Sequence, residues 1–195
     1  MKIRIHIWML ILLLFGGLSS AQQKKLELDP SQGRVEFTLG DVLHTVHGTF
    51  HFKRWTMQFD PATGAASGEL VVDATSGDSG SKARDRKMHK EILESDKYPE
   101  FVFVPQRIRG NLSMEGSSQI QVDGLMNMHG GSHPLTMDIH VTITAGVATA
   151  DATFIVPYVS WGLKNPSTFI LRVNDKVEMA VHVAGRVSSV EKTWK

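Results

Sequence analysis

The tetrapeptide Gly77-Asp78-Ser79-Gly80 is the first place in the chain where residue types and spacing could do chemistry. It matches the turn that presents the nucleophilic serine of trypsin-like proteases. In those enzymes the triad follows the order His, Asp, Ser, and the serine comes late in the chain. Ser79 instead falls in the first half of the sequence, and a second glycine does not follow Gly80. We therefore expect a structural turn at Ser79 and no enzymatic activity.

Histidine is the second residue type that could do chemistry, because the nine histidines include two close groups. His47 and His51, with His44 nearby, share one face of a strand but stand about 13 Å apart, too far to share one ion. His129 and His133 flank a glycine turn, which leaves a two-ligand metal site as an open alternative. The sequence contains no HExxH, GxSxG or nucleotide-binding loop. We predict neither a metal nor a cofactor.

Composition excludes several other function classes. The chain has 21 basic and 20 acidic residues, without a block of like charge that could follow a phosphate backbone, so nucleic acid is not an expected partner. It contains no cysteine, which rules out disulfides, thiolate metal sites and a cysteine nucleophile. Its 195 residues, 42% of them hydrophobic, suit one globular domain.

The first 21 residues are predicted to be a cleaved signal peptide. Lys2 and Arg4 precede an apolar run at residues 7–15, and Ser19-Ser20-Ala21 supplies the small residues of a cleavage site. The alternative is a membrane anchor, but residues 7–18 fall short of the roughly 20 that a spanning helix needs. We expect cleavage after Ala21, a single domain at residues 22–195, and a periplasmic or secreted protein.

Hydrophobic and polar residues alternate along most of the remaining chain, which is typical of half-buried β-strands. About eight such runs are separated by short turns, so neighbouring strands should be antiparallel. Residues 82–94 break this period and predict one helix, which Ser79 or Ser81 could cap. The pattern predicts an all-β fold of about eight antiparallel strands, closed as a barrel or stacked as a sandwich.

The strand faces that should point inward carry large and flexible side chains. Such a lining suits a lumen that accepts an apolar ligand, while a packed core is the alternative. In particular, we expect His47, His51, Asp138 and His140 to point outward. The candidate lumen residues are Phe37, Phe50, Phe52, Trp55, Met57, Phe101, Phe103, Met126, Met128, Met137, Ile139, Phe154 and Trp161.

Five segments of the chain carry distinctive sequence motifs. The most specific is RDRKMHKEILESDKYPEFVF at residues 84–103, followed by the segment at residues 154–179, which contains the run WGLKNPS from Trp161. The others are DPSQGRVEFTL from Asp29, residues 48–59, and GLMNMHGGSHPL at residues 124–135. These segments are spread along residues 26–186, and together they resemble the YceI-like, polyisoprenoid-binding family.

The resemblance implies an exported, lipocalin-like antiparallel β-barrel with one helix after the early strands and no catalytic apparatus. It implies that an elongated amphiphilic lipid, of polyisoprenoid or fatty-acyl type, lies in the lumen. Arg84 and His89 match the family block, either as head-group or lid residues or as structural contacts that also involve Asp85. The alternative function is a non-enzymatic stress-related or structural protein whose barrel is filled by its own side chains. The oligomeric state stays open, a homodimer included.

Overall fold

The computed structural model describes residues 23–40, 44–169 and 172–190, so the predicted signal peptide lies outside the described residues. Nine β-strands account for most of this part of the chain. They are β1 Lys24–Leu28, β2 Arg34–Gly40, β3 Thr45–Phe59, β4 Ala66–Asp78, β5 Glu100–Arg109, β6 Gly116–Met128, β7 Gly131–Thr144, β8 Val147–Val156 and β9 Val177–Ser189.

The strands form one antiparallel sheet that closes on itself. Each strand from β2 to β9 pairs with the next, and β2 also pairs with β9, so these eight strands make a barrel. The short strand β1 fills the gap beyond the start of β2, where Leu26 lies opposite Met57 of β3 and Val187 of β9. Closure pairs the edges that an open sheet would leave exposed. The prediction of a lipocalin-like barrel of about eight strands is confirmed.

A β-bulge in β3 explains a change of phase in the sequence. The apolar positions are even-numbered up to Phe52 and odd-numbered from Trp55 onward. In the structure, Phe52 lies opposite Val72 and Arg54 opposite Val71, so Lys53 is the extra residue. An extra residue in one strand shifts every later side chain to the other face. The bulge therefore keeps both halves of β3 facing the same core.

The predicted helix is present but consists of two parts. The α-helix α1 spans Lys82–Lys87, and a π-helical turn continues it from Met88 to Leu93. Glu94 ends it in the left-handed conformation with φ of 47°. The expected serine cap is wrong: Ser81 occupies the cap position without a side-chain hydrogen bond, and the carboxylate of Asp85 instead accepts the backbone N–H of Ser79 at 2.9 Å.

The barrel has two distinct ends. Strands β2, β4, β6 and β8 all finish at one end. This end carries residues 82–93 and, from the long connection 157–176, the described residues 157–169 and 172–176; we call it the helical end. One cluster of buried side chains, which includes Phe37, Phe50 and Leu93, lies toward this end. A second cluster around Phe103 and Ile143 lies toward the other end. None of the described helices is long and apolar enough to cross a bilayer.

Candidate functional site

A cavity of about 520 Å³ occupies the lumen of the barrel, and side chains of both buried clusters line it. Its volume falls within the range of ordinary small-molecule sites. Almost all of its wall is apolar. The lining residues with a polar or charged group are Ser79, Arg84, Lys87, Thr149, Tyr158 and Thr168, and all of these except Thr149 belong to the helical end.

Most of the candidate lumen residues border this cavity. Alternation along closed strands forces them there, because each strand has only one face toward the inside. The outward set behaves as expected, since His47, His51, Asp138 and His140 are exposed. The candidates on the wall are Phe37, Phe50, Phe52, Met57, Phe101, Phe103, Met126, Met128, Met137, Ile139 and Phe154.

Trp55 is not part of the wall, which corrects the prediction for this residue. It is half-buried on β3 just after the bulge, and its indole ring packs on the ring of Phe52, with 4.8 Å between centroids. Phe52 lines the cavity, whereas Trp55 stands beside it. The indole Nε1 is buried and has no hydrogen-bond partner among the described residues.

Trp161 is also absent from the wall. It lies in the connection 157–176 and stacks on the imidazole of His133, with 4.4 Å between ring centroids and planes 5° apart. This stack attaches the connection to the start of β7, and Trp161 does not line the lumen. The structure therefore gives Trp161 a packing role at the helical end, where the sequence predicted a lumen residue.

Sequence reasoning missed two sources of wall residues. The helical segment contributes Met88, Ile92 and Leu93, whose spacing marked them as one helix face but did not show what that face covers. Strand β8 contributes Ala148, Ala150 and Ala152. Small side chains at these inward positions leave space that larger ones would fill, so β8 is one reason why the lumen retains a cavity. The cavity favours an open lumen over a barrel filled by its own side chains.

Two cations reach the cavity at the helical end. The guanidinium of Arg84 donates from Nε to the hydroxyl of Ser79 at 2.8 Å and from Nη2 to the Ser79 carbonyl at 2.6 Å. The Ser79 hydroxyl in turn donates to the carboxylate of Asp85. Burial raises the pKa of Asp85, but the hydrogen bonds from Ser79 outweigh it, and the pKa is held below its usual value. Lys87 forms no ion pair with any described residue.

His89 is not among the residues that line the cavity, and its side chain makes the structural contacts that were the alternative to a head-group or lid role. Its Nε2 lies 2.9 Å from the carbonyl oxygen of Gly77, and its Nδ1 lies 3.2 Å from the hydroxyl of Ser95. These contacts fasten the π-helical turn to the end of β4. Arg84, by contrast, borders the lumen as expected.

The residues that could do chemistry have other partners in the structure. The hydroxyl of Ser79 contacts Asp85 and Arg84 rather than a histidine, whereas a serine nucleophile needs a base within hydrogen-bond reach. His129 bonds Glu94 at 3.0 Å, while His133 stacks on Trp161. Within the described ranges no three His, Asp or Glu side chains are grouped to hold a metal ion.

Tyr158 forms a hydrogen bond within the connection 157–176. Its hydroxyl donates to the carbonyl oxygen of Asn174 at 2.6 Å, which ties the two ends of this segment together. Burial, with a smaller contribution from Asp175, raises the pKa of Tyr158 to about 12. The phenol therefore stays neutral and keeps its proton for this hydrogen bond at physiological pH.

A sequence model of the YceI-like domain matches residues 26–185, which is most of the chain. The chain belongs to the YceI-like family. The match begins in β1 and ends in β9, so the family domain and the barrel are the same unit. A comparison with curated proteins found no match.

Several solved structures share the fold at low sequence identity. Burkholderia cenocepacia BcnA is 21% identical with a TM-score of 0.67, and the alignment covers 82% of this chain and 99% of that one. A polyisoprenoid-binding domain from Saccharophagus degradans, implicated in plant cell wall breakdown, is 12% identical with a TM-score of 0.63, covering 84% and 98%. The Campylobacter jejuni YceI protein is 14% identical with a TM-score of 0.61, covering 77% and 88%. At these identities the likeness supports the fold.

Proposed function

We propose that this YceI-like protein is an exported, non-enzymatic carrier that holds an elongated amphiphilic lipid in its barrel. The observation that carries the proposal is the apolar cavity of about 520 Å³, whose polar lining groups lie almost entirely at the helical end. An amphiphile has the same arrangement, with a long apolar chain and one polar head. The Saccharophagus degradans domain, which shares the fold, is a polyisoprenoid-binding domain, and this supports the same ligand class.

The cavity volume indicates how much of such a chain would fit. A cavity of about 150 Å³ holds the six carbons of benzene, so 520 Å³ accommodates about 20 carbon atoms at the same density. That is the length of a common fatty-acyl chain or of roughly four isoprene units. A longer polyisoprenoid would have to project from the barrel or displace side chains of the wall.

The head group would lie beside Arg84 and Lys87. Away from the helical end, Thr149 alone among the described lining residues carries a polar group, and burying a polar head without hydrogen bonds is costly. Arg84 is already oriented by Ser79, whereas Lys87 forms no ion pair among the described residues. Acidic or strongly polar heads therefore suit this end of the cavity.

Export follows from the sequence and remains part of the proposal. The signal peptide at residues 1–21 would direct the chain to the periplasm or the outside of the cell, with cleavage after Ala21. Amino-terminal sequencing of the mature protein is expected to begin at Gln22. Recovery of a membrane-bound form that retains residues 2–15 would contradict it.

Lipid extraction followed by mass spectrometry tests the carrier function directly. We expect the protein purified from a bacterial periplasm to contain one elongated amphiphile per chain. Met137→Glu, Met128→Glu and Phe52→Glu each place a carboxylate on the wall of the cavity. Because water can enter a cavity with the charge, at least one of these variants should fold and be recovered without lipid.

The matched control is Thr144→Glu, which adds the same carboxylate to the exposed face of β7, the strand that carries Met137. We expect this variant to fold and to retain lipid. The carrier hypothesis is wrong if all three lumen variants misfold, because an unpaired charge is then being forced into a filled core. It is equally wrong if the folded lumen variants retain the lipid of the parent protein.

A further inference from the structure

We propose that the helical end of the barrel docks on an anionic lipid bilayer. The inference rests on the proposed function, since a carrier of water-insoluble chains has to meet a membrane where it loads or unloads. What it adds is the surface involved and the partner that this surface fits. Three observations carry it: an excess of cations, their lack of ion-pair partners, and an exposed aromatic ring beside the cavity.

Positive charge is concentrated in the two segments that flank the cavity at this end. Residues 82–93 and 157–176 contain eight of the 21 basic residues of the chain but only three of its 20 acidic residues. The acidic residues are Asp85, Glu91 and Asp175, and the carboxylate of Asp85 already accepts a hydrogen bond from Ser79. Because the chain as a whole is nearly neutral, the residues outside these segments carry more acidic than basic side chains.

The cations of these segments have no ion-pair partner among the described residues. Those on the barrel wall, in contrast, are largely paired. Arg54 lies 2.7 Å from Glu100, and Arg109 lies 2.6 Å from Asp123. Unpaired cations leave their charge available to an external anionic surface. The exposed cations are Lys82, Arg84, Arg86, Lys87, Lys90, Lys164, Arg172 and Lys176.

Phe169 supplies an apolar anchor at the same end. Its relative exposure is 101%, so the ring does not pack against the rest of the protein. The preceding residue, Thr168, lines the cavity, and so does Val173 further along the same connection. An exposed aromatic ring among cations is the combination that peripheral proteins insert into the head-group region of a bilayer. An anionic partner without an apolar interior would interact with the cations but would offer no apolar environment for the ring.

Docking in this orientation gives the cavity direct access to the membrane. Arg84 and Lys87 border both the cavity and the basic surface. A lipid leaving the bilayer at this place would carry its chain into the lumen without crossing water. Its head would stay at the level of these two cations, where the proposed function places it.

Vesicle binding tests the proposal. The probes are vesicles of phosphatidylcholine with and without phosphatidylglycerol, mixed with the full mature chain and separated by flotation. We expect binding to the anionic vesicles only, weakening as salt is added. The variant Lys164→Gln/Arg172→Gln/Lys176→Gln should bind about 100-fold more weakly, because each cation near an anionic membrane contributes roughly fivefold. These three side chains do not line the cavity.

The matched control removes the same charge from the opposite end. Lys24→Gln/Arg107→Gln/Arg186→Gln changes three basic residues near the ends of β1, β5 and β9 that lie away from the helix. This variant should bind anionic vesicles like the parent. Equal weakening by both triple variants would mean that net charge alone governs binding, and the proposed orientation would be wrong.

Phe169→Ala separates a bilayer from a charged protein partner. Its fold should be unaffected because the ring is fully exposed, while vesicle binding should fall about tenfold from the lost apolar burial. Unchanged vesicle binding by this variant would overturn the bilayer proposal. A dansyl-labelled fatty acid, added without vesicles, measures the cavity separately. If the parent binds this probe but no vesicles, docking alone fails; if it binds neither, the carrier function fails as well.

Discussion

Filling the lumen with one additional ring is the sharpest test of whether this barrel is a container. Ala150 of β8 lines the cavity and lies between Val141 of β7 and Val183 of β9, both of which also line it. The substitution Ala150→Phe directs a phenyl ring from this position into the lumen. A filled core and a cavity respond to that ring in opposite ways.

The structure sets the expected magnitude. A phenyl ring needs about the space of benzene, roughly 150 Å³, which is less than a third of the 520 Å³ available. Burying the ring contributes about 1.5–3 kcal/mol relative to leaving it in water. In a filled core the same change would force side chains off their rotamers and cost about 1–3 kcal/mol. We therefore expect the free energy of unfolding of Ala150→Phe to be unchanged or higher.

Urea unfolding followed by circular dichroism measures that free energy. Binding of the dansyl-labelled fatty acid measures the space that remains, and it should be weaker in Ala150→Phe. Thr153→Phe is the matched control because Thr153 lies on the exposed face of the same strand. It adds the same ring and the same strand preference without entering the lumen, so probe binding should match that of the parent.

The reasoning is refuted if Ala150→Phe loses 1–3 kcal/mol of stability while Thr153→Phe does not, at about the cost of overpacking a dense core. It is also refuted if Ala150→Phe binds the probe as tightly as the parent, because the probe would then lie outside the lumen.

Two further predictions concern polar contacts. Asp85→Ala removes the acceptor of the backbone N–H and hydroxyl of Ser79, so urea unfolding should show a loss of about 1–3 kcal/mol, and Asp85→Asn, which keeps one acceptor, a smaller loss. Hydrogen bonds from Arg54, and then from Lys53, lower the pKa of Glu100 from 4.5 to about 2. The stability that this ion pair contributes should be fully present above pH 4.5 and be lost as the pH falls toward 2, because the unfolded chain takes up the proton first. The variant Glu100→Gln should lack this part of the acid dependence. If the pH dependence of its unfolding free energy matches that of the parent, the assignment to Glu100 is wrong.

Much of the wall could be predicted because strand periodicity is a local property. Met137 and Ile139 face the lumen while Asp138 and His140 face outward, as alternation along β7 requires. The shift from even to odd positions in β3 is visible in the sequence as well, and the bulge at Lys53 gives it a physical cause. Such features need only the residues of one strand.

Contacts between different segments of the chain were harder to predict than strand faces. Trp161 has the aromatic character of a wall residue, but His133, 28 positions earlier, holds it in a stack outside the cavity. His89 belongs to the same sequence block as Arg84, but its ring contacts Gly77 and Ser95, and it is not among the cavity-lining residues. No local pattern encodes these pairings, because each depends on how the connections fold over the end of the barrel.

Strand periodicity and motifs were enough to predict which face of each strand is apolar, where the period changes to a helix, and that the family is YceI-like. Closure of the strands, through the pairing of β2 with β9 and of β3 with β4, could be seen only in three dimensions. The same holds for the lumen, which stays partly open. Alternation divides inside from outside one strand at a time, whereas closure and cavity volume depend on how side chains from all strands meet. Small residues such as Ala150 create space only when their opposite neighbours do not reach across.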